Sequence, residues 1–202
     1  MARTFEDTAL RTPEPAPLTA DPAPLGLAGF GITTLLLSLI NAGILNATVT
    51  EGVMALALAF GGGAQLLAGM WAFRRGNTFA ATAFTSYGAF WFSFYLLVNV
   101  FIPQMKGATP TDISTFVATY LLAWGIFTAY MFVASLAGAK AVQLVFFLLA
   151  LTFLVLALGD YAASTTIHNV GGYIGLATAA AAIYASFADV TNANFKRRVL
   201  PT

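Results

Sequence analysis

Long stretches without a single charged side chain dominate the sequence. Five of them contain no Asp, Glu, Lys or Arg, and a sixth carries only Asp189, near its end. An uncharged apolar run of about 18 residues or more is long enough to cross a bilayer as a helix. The sequence therefore predicts an all-α membrane protein with six transmembrane helices, spanning residues 26–46, 53–73, 78–101, 113–137, 141–159 and 170–190.

The composition excludes an ordinary water-soluble domain. Of the 202 residues, 59% are hydrophobic and 8% are charged, whereas soluble domains carry roughly 25% charged residues. The mean hydropathy is +0.81. There is no cysteine, so neither a disulfide framework nor a thiolate metal site is expected. No basic, aromatic-rich patch indicates nucleic-acid binding, and the expected surroundings of the chain are a lipid bilayer.

Basic residues are distributed unevenly between the two ends of the predicted helices. Eight of the nine Lys and Arg residues fall on the side that holds both chain termini, and Lys106 falls on the other. Loops rich in Lys and Arg stay in the cytoplasm. We therefore expect a multi-pass protein of the cell membrane with both termini cytoplasmic. Its expected parts are a flexible, proline-broken tail at residues 1–21, a six-helix membrane domain at 22–195 and a short basic tail at 196–202.

Ionisable side chains are missing from the centres of the predicted helices. The one histidine, His168, lies near the end of a helix. Proton pumps place such groups at mid-membrane, and intramembrane proteases need paired aspartates or an H-E-x-x-H motif. The loops are too short for a catalytic domain. We therefore expect neither an enzyme nor a metal or cofactor site.

Uncharged polar residues remain as candidates for a functional path. Phe30, Thr34, Ser38 and Asn41 recur at helical spacing on one face of the first predicted helix. A hydrogen bond to a neighbouring helix would explain each of these polar residues taken alone. Taken together, the residues could line a narrow path. The further candidates in the other helices are Gln65, Thr85, Ser86 and Gln143.

The segment from Asp21 to Leu27, DPAPLGL, has the character of a helix start. Proline is favoured in the first turn of a helix, where its missing N–H costs nothing. The free N–H groups of that turn, around Leu25 and Gly26, can attract an anion. A structural start signal explains the same pattern equally well.

The same segment resembles the Asn-Pro-Ala-Pro-Leu-Gly-Leu signature of the acetate uptake transporter family, which includes bacterial permeases for succinate and acetate. The resemblance spans residues 21–201. Asp21 stands where the family usually has Asn and adds a negative charge beside the possible anion site. The other matching motifs follow in the family's order: GGGAQLLAGMW at 61–71, RRGNTFAATAFTSYGAFW at 74–91, YLLAWGIFTAYMF at 120–132, QLVFF at 143–147 and GGYIGLATAAAAIY at 171–184.

The resemblance implies a six-helix protomer that assembles as a homo-hexamer. Each protomer would carry acetate and similar short carboxylates, succinate among them, as an anion channel or a proton-linked carrier. By motif match, Phe30, Tyr87 and Leu149 would form a hydrophobic constriction, and Ala182 would influence the substrate range. Two other functions stay open: a membrane sensor or scaffold that binds carboxylates without moving them, and a conduit for neutral small solutes such as ammonia.

Overall fold

The structure is a computed structural model that describes residues 19–202, and every long element among them is a helix. Six helices are long and apolar enough to cross a membrane, which confirms the predicted number. The predicted tail at residues 1–21 lies almost wholly outside the described residues. The helices are α1 (Ala23–Asn41), α2 (Ala47–Arg74), α3 (Thr78–Gln104), α4 (Pro110–Ser135), α5 (Lys140–Tyr161) and α6 (Thr165–Phe195).

Capping residues fix the helix ends, and most of the helices extend beyond the predicted apolar runs. α1 begins at Ala23 after the N-cap Pro22, three residues before the predicted start. α4 begins with a capping box in which the side chains of Thr109 and Asp112 bind each other's backbone N–H groups. The Ser164 hydroxyl accepts a bond from the N–H of Ile167 and starts α6 five residues early. Hydropathy locates the buried stretch of a helix, whereas local hydrogen bonding sets its ends.

The six helices form a ring in chain order. Each packs against the next, and α6 packs against both α5 and α1. α3 and α4 stand further apart and are bridged by aromatic side chains, such as Phe90 and Trp124 with ring centroids 5.1 Å apart. At one end of the ring the Ser186 hydroxyl donates to the carbonyl of Pro24. We call this the Asp189 end, since Asp189 lies there, and the opposite end the His168 end.

Small residues let the helices approach closely within one chain. A Cβ added to Gly172 would overlap the backbone of Asn41 and Ala42, so α6 touches α1 at this point. A Cβ added to Gly175 would likewise overlap the Ser38 side chain. Packing of small residues is a main source of helix association in membranes. Gly172 and Gly175 of α6 therefore allow close packing between helices of the same protomer.

Part of α2 departs from α-helical geometry. Ala57–Ala64, which includes the three consecutive glycines, is a π-helix. π-helical turns are rare and occur frequently at functional sites. α-Helical geometry resumes at Gln65, so the widened turn directly precedes a polar residue that the sequence marks as a candidate.

The C-terminal residues fold back on α6. The Asn192 side chain accepts bonds from the N–H groups of Val199 and Leu200, and the Tyr184 hydroxyl donates to the carbonyl of Pro201. The predicted basic tail at 196–202 is therefore bound to the Asp189 end of the ring.

Candidate functional site

Three cavities lie in series inside the ring. A cavity of about 140 Å³ opens toward the His168 end, and one of about 310 Å³ opens toward the Asp189 end. A central cavity of about 20 Å³ lies between them. It shares Phe30 and Leu149 with the His168-end cavity, and shares Leu27, Ala83, Phe84 and Phe146 with the Asp189-end cavity. The shared walls place the three cavities along one line through the protein.

The structure brings Phe30, Tyr87 and Leu149 together around the central cavity. All three side chains are buried, with exposed fractions of 3 to 4%. The ring centroids of Phe30 and Tyr87 are 5.8 Å apart. We call these three residues the collar. They come from α1, α3 and α5, so the narrowest part of the line is built by three different helices.

Tyr87 is fixed in the collar by a hydrogen bond and by aromatic neighbours. Its hydroxyl lies 2.9 Å from the Thr128 hydroxyl. Because Thr128 gives its own proton to the Trp124 carbonyl, Tyr87 is the donor in this bond. The Tyr87 ring also packs edge-to-face on Phe127, with centroids 5.5 Å apart. The hydroxyl thus points toward α4, and an aromatic surface faces the central cavity.

Several buried polar atoms along the cavities have no hydrogen-bond partner among the described residues. Gln65, which is 1% exposed, lines the central cavity with its Oε1 unpaired. The Thr34 hydroxyl and the Trp91 indole N–H are also unpaired, and both residues line the His168-end cavity. An unpaired buried polar group costs about 1–3 kcal/mol. Such groups beside a cavity can bind a polar solute or water as it passes.

Carboxylates, but no permanently positive side chains, line the three cavities. Asp160 lines the His168-end cavity and Asp189 lines the Asp189-end cavity. Neither Lys nor Arg is among the described residues that line any of the three, and one histidine, His168, lines the His168-end cavity. Residues 19–202 contain no group of three His, Asp or Glu side chains placed to hold a metal ion. The walls are therefore apolar with a negative group near each mouth.

The start of α1 binds one of the protein's own carboxylates. The Asp21 side chain accepts a bond from the Ala23 N–H and lies 4.0 Å from the Arg75 guanidinium. The N–H of Gly26 donates to the Pro22 carbonyl. Leu25 is 45% exposed, and neither Leu25 nor Gly26 lines one of the three cavities. Asp21 thus occupies the position at which the sequence suggested an external anion.

The polar residues of α1 face the His168-end cavity. Thr34, Ser38 and Asn41 line the His168-end cavity together with Phe30. Of these, Thr34 and Ser38 are buried, and Asn41 is half-buried at the end of the helix. One face of α1 therefore supplies most of the hydroxyl and amide groups of this cavity.

Four other candidates lie away from the cavities. Thr85 packs against Gly69 of α2, whose added Cβ would overlap the Thr85 backbone and hydroxyl. Gln143 donates to the carbonyls of Leu136 and Gly138 and accepts from Lys140, so it holds the turn between α4 and α5. Ser86 and Ala182 line none of the three cavities, and Ala182 is fully buried.

One face of α5 contributes four residues to the His168-end cavity that were not among the candidates from the sequence. Thr152, Phe153, Leu156 and Asp160 line the His168-end cavity after Leu149. Their spacing of three, four and seven residues from Leu149, with Asp160 at eleven, is that of one helical face. The same periodicity that identified the α1 stripe could have identified these residues.

Comparison with known proteins gives matches over about nine tenths of the chain or more. The family model described as the GPR1/FUN34/yaaH family matches residues 4–201. The chain is 44% identical over 183 residues to the succinate-acetate/proton symporter SatP of Escherichia coli (strain K12). That alignment covers 90% of this chain and 94% of the symporter. It is 37% identical over 195 residues to acetate permease A of Emericella nidulans, covering 90% of this chain and 65% of that protein.

A third relative carries a different name. The chain is 35% identical over 183 residues to ammonia transport outward protein 2 of Saccharomyces cerevisiae, covering 88% of this chain and 64% of that protein. The chain thus spans about two thirds of the length of both fungal relatives.

The fold also matches a solved structure. The structure of the bacterial acetate channel SatP superposes with a TM-score of 0.83 at 42% sequence identity, covering 91% of this chain and 98% of that one. These relatives are named as transporters or channels and not as enzymes. The matches confirm the resemblance seen in the motifs, and the chain belongs to the GPR1/FUN34/yaaH family.

Proposed function

We propose that this protein moves acetate and similar short carboxylates, with succinate as a larger candidate, across a membrane. The path runs through the three cavities of each protomer and crosses the Phe30, Tyr87 and Leu149 collar. The observation that carries the proposal is the arrangement of two larger cavities on opposite sides of one small, apolar central cavity. The names of the bacterial relatives support acetate and succinate as substrates.

The walls favour passage of the neutral acid over passage of the bare anion. Transfer of an ionised carboxylate into a medium of low dielectric constant costs tens of kcal/mol by Born estimates. A permanently cationic side chain could offset that cost, but neither Lys nor Arg is among the described residues that line the path. The Asp160 carboxylate is bonded to His168, and the Asp189 carboxylate repels an anion. We therefore propose that the substrate crosses the collar together with a proton.

An anion channel is the main alternative. Apolar constrictions can gate ions by dewetting, and a hydrated anion could pass if the collar opened. This alternative predicts a current that follows the membrane potential, whereas passage of the neutral acid predicts none.

A conduit for small neutral solutes is a second alternative. Its support is the apolar collar together with the ammonia transport protein among the relatives. Ammonia entering a vesicle makes the lumen more alkaline, whereas an entering carboxylic acid makes it more acidic, so the direction of the lumenal pH change separates the two.

The proposed orientation and assembly are based on the sequence and on the family resemblance. We propose that both termini, at the Asp189 end, face the cytoplasm of a cell membrane, because eight of the nine Lys and Arg residues lie on that side. We also propose a homo-hexamer in which each protomer keeps its own path. The ring of each protomer encloses its three cavities without help from a second chain.

Uptake of radiolabelled acetate into proteoliposomes tests the proposal. Purified protein should raise the rate of uptake above that of protein-free vesicles, and unlabelled acetate should compete. A sensor or scaffold would bind labelled acetate in detergent without raising uptake, and that result would overturn the proposal.

A further inference from the structure

We propose that Asp160 and His168 form a proton-donating pair that converts an arriving carboxylate into its neutral acid at the mouth of the path. Nδ1 of His168 lies 2.7 Å from Oδ1 of Asp160. This inference rests on the proposed function, because it assigns the step that supplies the proton.

The pair lies between the exterior and the collar. His168 and Asp160 both line the His168-end cavity, which reaches Phe30 and Leu149. The same two residues also line a wider opening of about 240 Å³ beyond it. The His168 side chain is 31% exposed and that of Asp160 is 18% exposed. A solute that enters from this end therefore passes the pair before it reaches the apolar walls.

The hairpin between α5 and α6 holds the pair rigidly. Gly159 is packed so closely against α6 that an added Cβ would lie 2.6 Å from the His168 backbone nitrogen. The N–H of Ser164 donates to the Gly159 carbonyl, and the N–H of His168 donates to the Ser164 carbonyl. The Ser114 hydroxyl of α4 donates to the Asp160 carbonyl. The backbone on both sides of the contact is thus fixed by local bonds.

Each partner has a defined part in the proton transfer. The Asp160 carboxylate accepts the bond from Nδ1–H, which fixes the orientation of the ring and of Nε2. In the transfer the Nε2–H bond of the imidazolium breaks, and its electron pair stays on the nitrogen. A carboxylate oxygen of the substrate forms the new O–H bond. The products are the neutral acid and a neutral imidazole, which takes up a proton again from water at this end.

Few other ionisable groups act on His168. Asp160 and His168 are the two ionisable residues among the described residues that line the cavity and the opening. The neighbouring helices contribute uncharged groups there, Asn41 from α1 and Ser114 from α4. The charge state of the site therefore depends on this one pair.

The test compares acetate uptake by proteoliposomes at about pH 7.5 and about pH 6, with the rate of protein-free vesicles subtracted. A simple carboxylic acid has a pKa near 4.3, so about thirtyfold more neutral acid is present at the lower pH. His168→Gln should lower uptake about tenfold or more at pH 7.5. Uptake should rise toward that of the unchanged protein at pH 6, because an about thirtyfold larger share of the substrate then arrives with its own proton.

Two further variants make the test specific. Asp160→Asn keeps an acceptor for Nδ1–H but removes the charge, so a smaller loss at pH 7.5 with the same recovery at pH 6 is expected. Glu51→Gln is the matched control, since Glu51 is exposed, bonds Asn99 and lines none of the described cavities. It should leave uptake unchanged at both pH values.

The outcomes separate this inference from the proposed function. An equal loss of acetate uptake by His168→Gln at both pH values indicates a structural role and overturns the inference. Unchanged uptake at both pH values also overturns it. In both cases uptake by the unchanged protein would still support transport. If the unchanged protein itself gave no uptake above that of protein-free vesicles, the proposed function and this step would fail together.

Discussion

Leu149 lies in the wall between the central cavity and the His168-end cavity, and its size determines how far they connect. Leu149→Ala removes most of this side chain from the collar. We expect acetate uptake to rise and larger acids such as succinate to enter faster. Competition by unlabelled acids of increasing length measures both effects.

The matched control for this change is Leu158→Ala. Leu158 lies on the same helix but is 55% exposed and lines none of the cavities. Unchanged rate and selectivity in a well-folded Leu149→Ala variant would show that the collar is assigned wrongly.

Gln65 is a second residue at which a substitution should affect thermal stability and acetate uptake differently. Its Oε1 is buried beside the central cavity without a partner. Replacing such an amide by a hydrocarbon of similar shape relieves a penalty of about 1–3 kcal/mol. Gln65→Leu should therefore leave the thermal stability equal or higher while acetate uptake falls, because the central cavity loses the unpaired polar group of this side chain.

Gln143→Leu should have the opposite effects. Gln143 bonds two backbone carbonyls and Lys140 at the turn between α4 and α5, away from the cavities. Its loss should lower the melting temperature while uptake per folded protein stays the same. A fall in stability for Gln65→Leu would mean that this amide has a structural partner instead.

Residue types in a sequence show polarity but not the direction in which a side chain points. Periodicity alone placed Phe30 and Thr34 on one face of α1, and both line a cavity. Thr85 looked equally suitable, yet it faces Gly69, because the approach of α2 to α3 decides its direction. Tyr87 and Leu149 were identified by motif match and not by their spacing.

At the scale of the helices, the close approach of α1 and α6 contributes to the stability of the folded protein. Gly172→Ala would place a methyl group inside the backbone of Asn41 and Ala42. We expect a loss of stability of about 2 kcal/mol, seen as a lower melting temperature in detergent. Gly52→Ala provides the control, since nothing lies within 4 Å of its added Cβ. A Gly172→Ala variant as stable as the control would contradict the close packing of α1 on α6.

The six helices could be predicted from the sequence because charged residues are so costly in lipid that their absence marks each span. The ends could not be predicted in the same way. Thr109 and Ser164 start their helices through capping hydrogen bonds, which a hydropathy average does not detect. The π-helix at Ala57–Ala64 could not be predicted from the sequence either, since three consecutive glycines are compatible with several backbone geometries.

At the scale of the whole molecule, each of the two larger cavities is lined by five helices and the central cavity by four. The Asp160 and His168 contact illustrates the point. Both residues fall near the end of a predicted span, but only the packing of α6 on α5 brings them to 2.7 Å. Distances between helices of this kind follow from packing and are not contained in any one segment of the sequence.

The assembly of protomers gives a prediction at the same scale. Large apolar side chains are exposed on the outside of the ring, among them Trp71, Phe116 and Phe187. Lipid or neighbouring protomers can cover these surfaces. Native mass spectrometry in gentle detergents should release a homo-hexamer. Monomers alone in several such detergents would contradict the proposed assembly, while the path within each protomer would remain.

The central claim is that a short carboxylate crosses the collar as its neutral acid. Proteoliposomes with a pH-sensitive dye in the lumen and a membrane potential set by a potassium gradient test this directly. If the neutral acid crosses, each labelled acetate taken up delivers one proton to the lumen. The rate should stay the same when the sign of the potential is reversed. Uptake that follows the potential and leaves the lumenal pH unchanged would show that the bare anion passes, and would contradict the account.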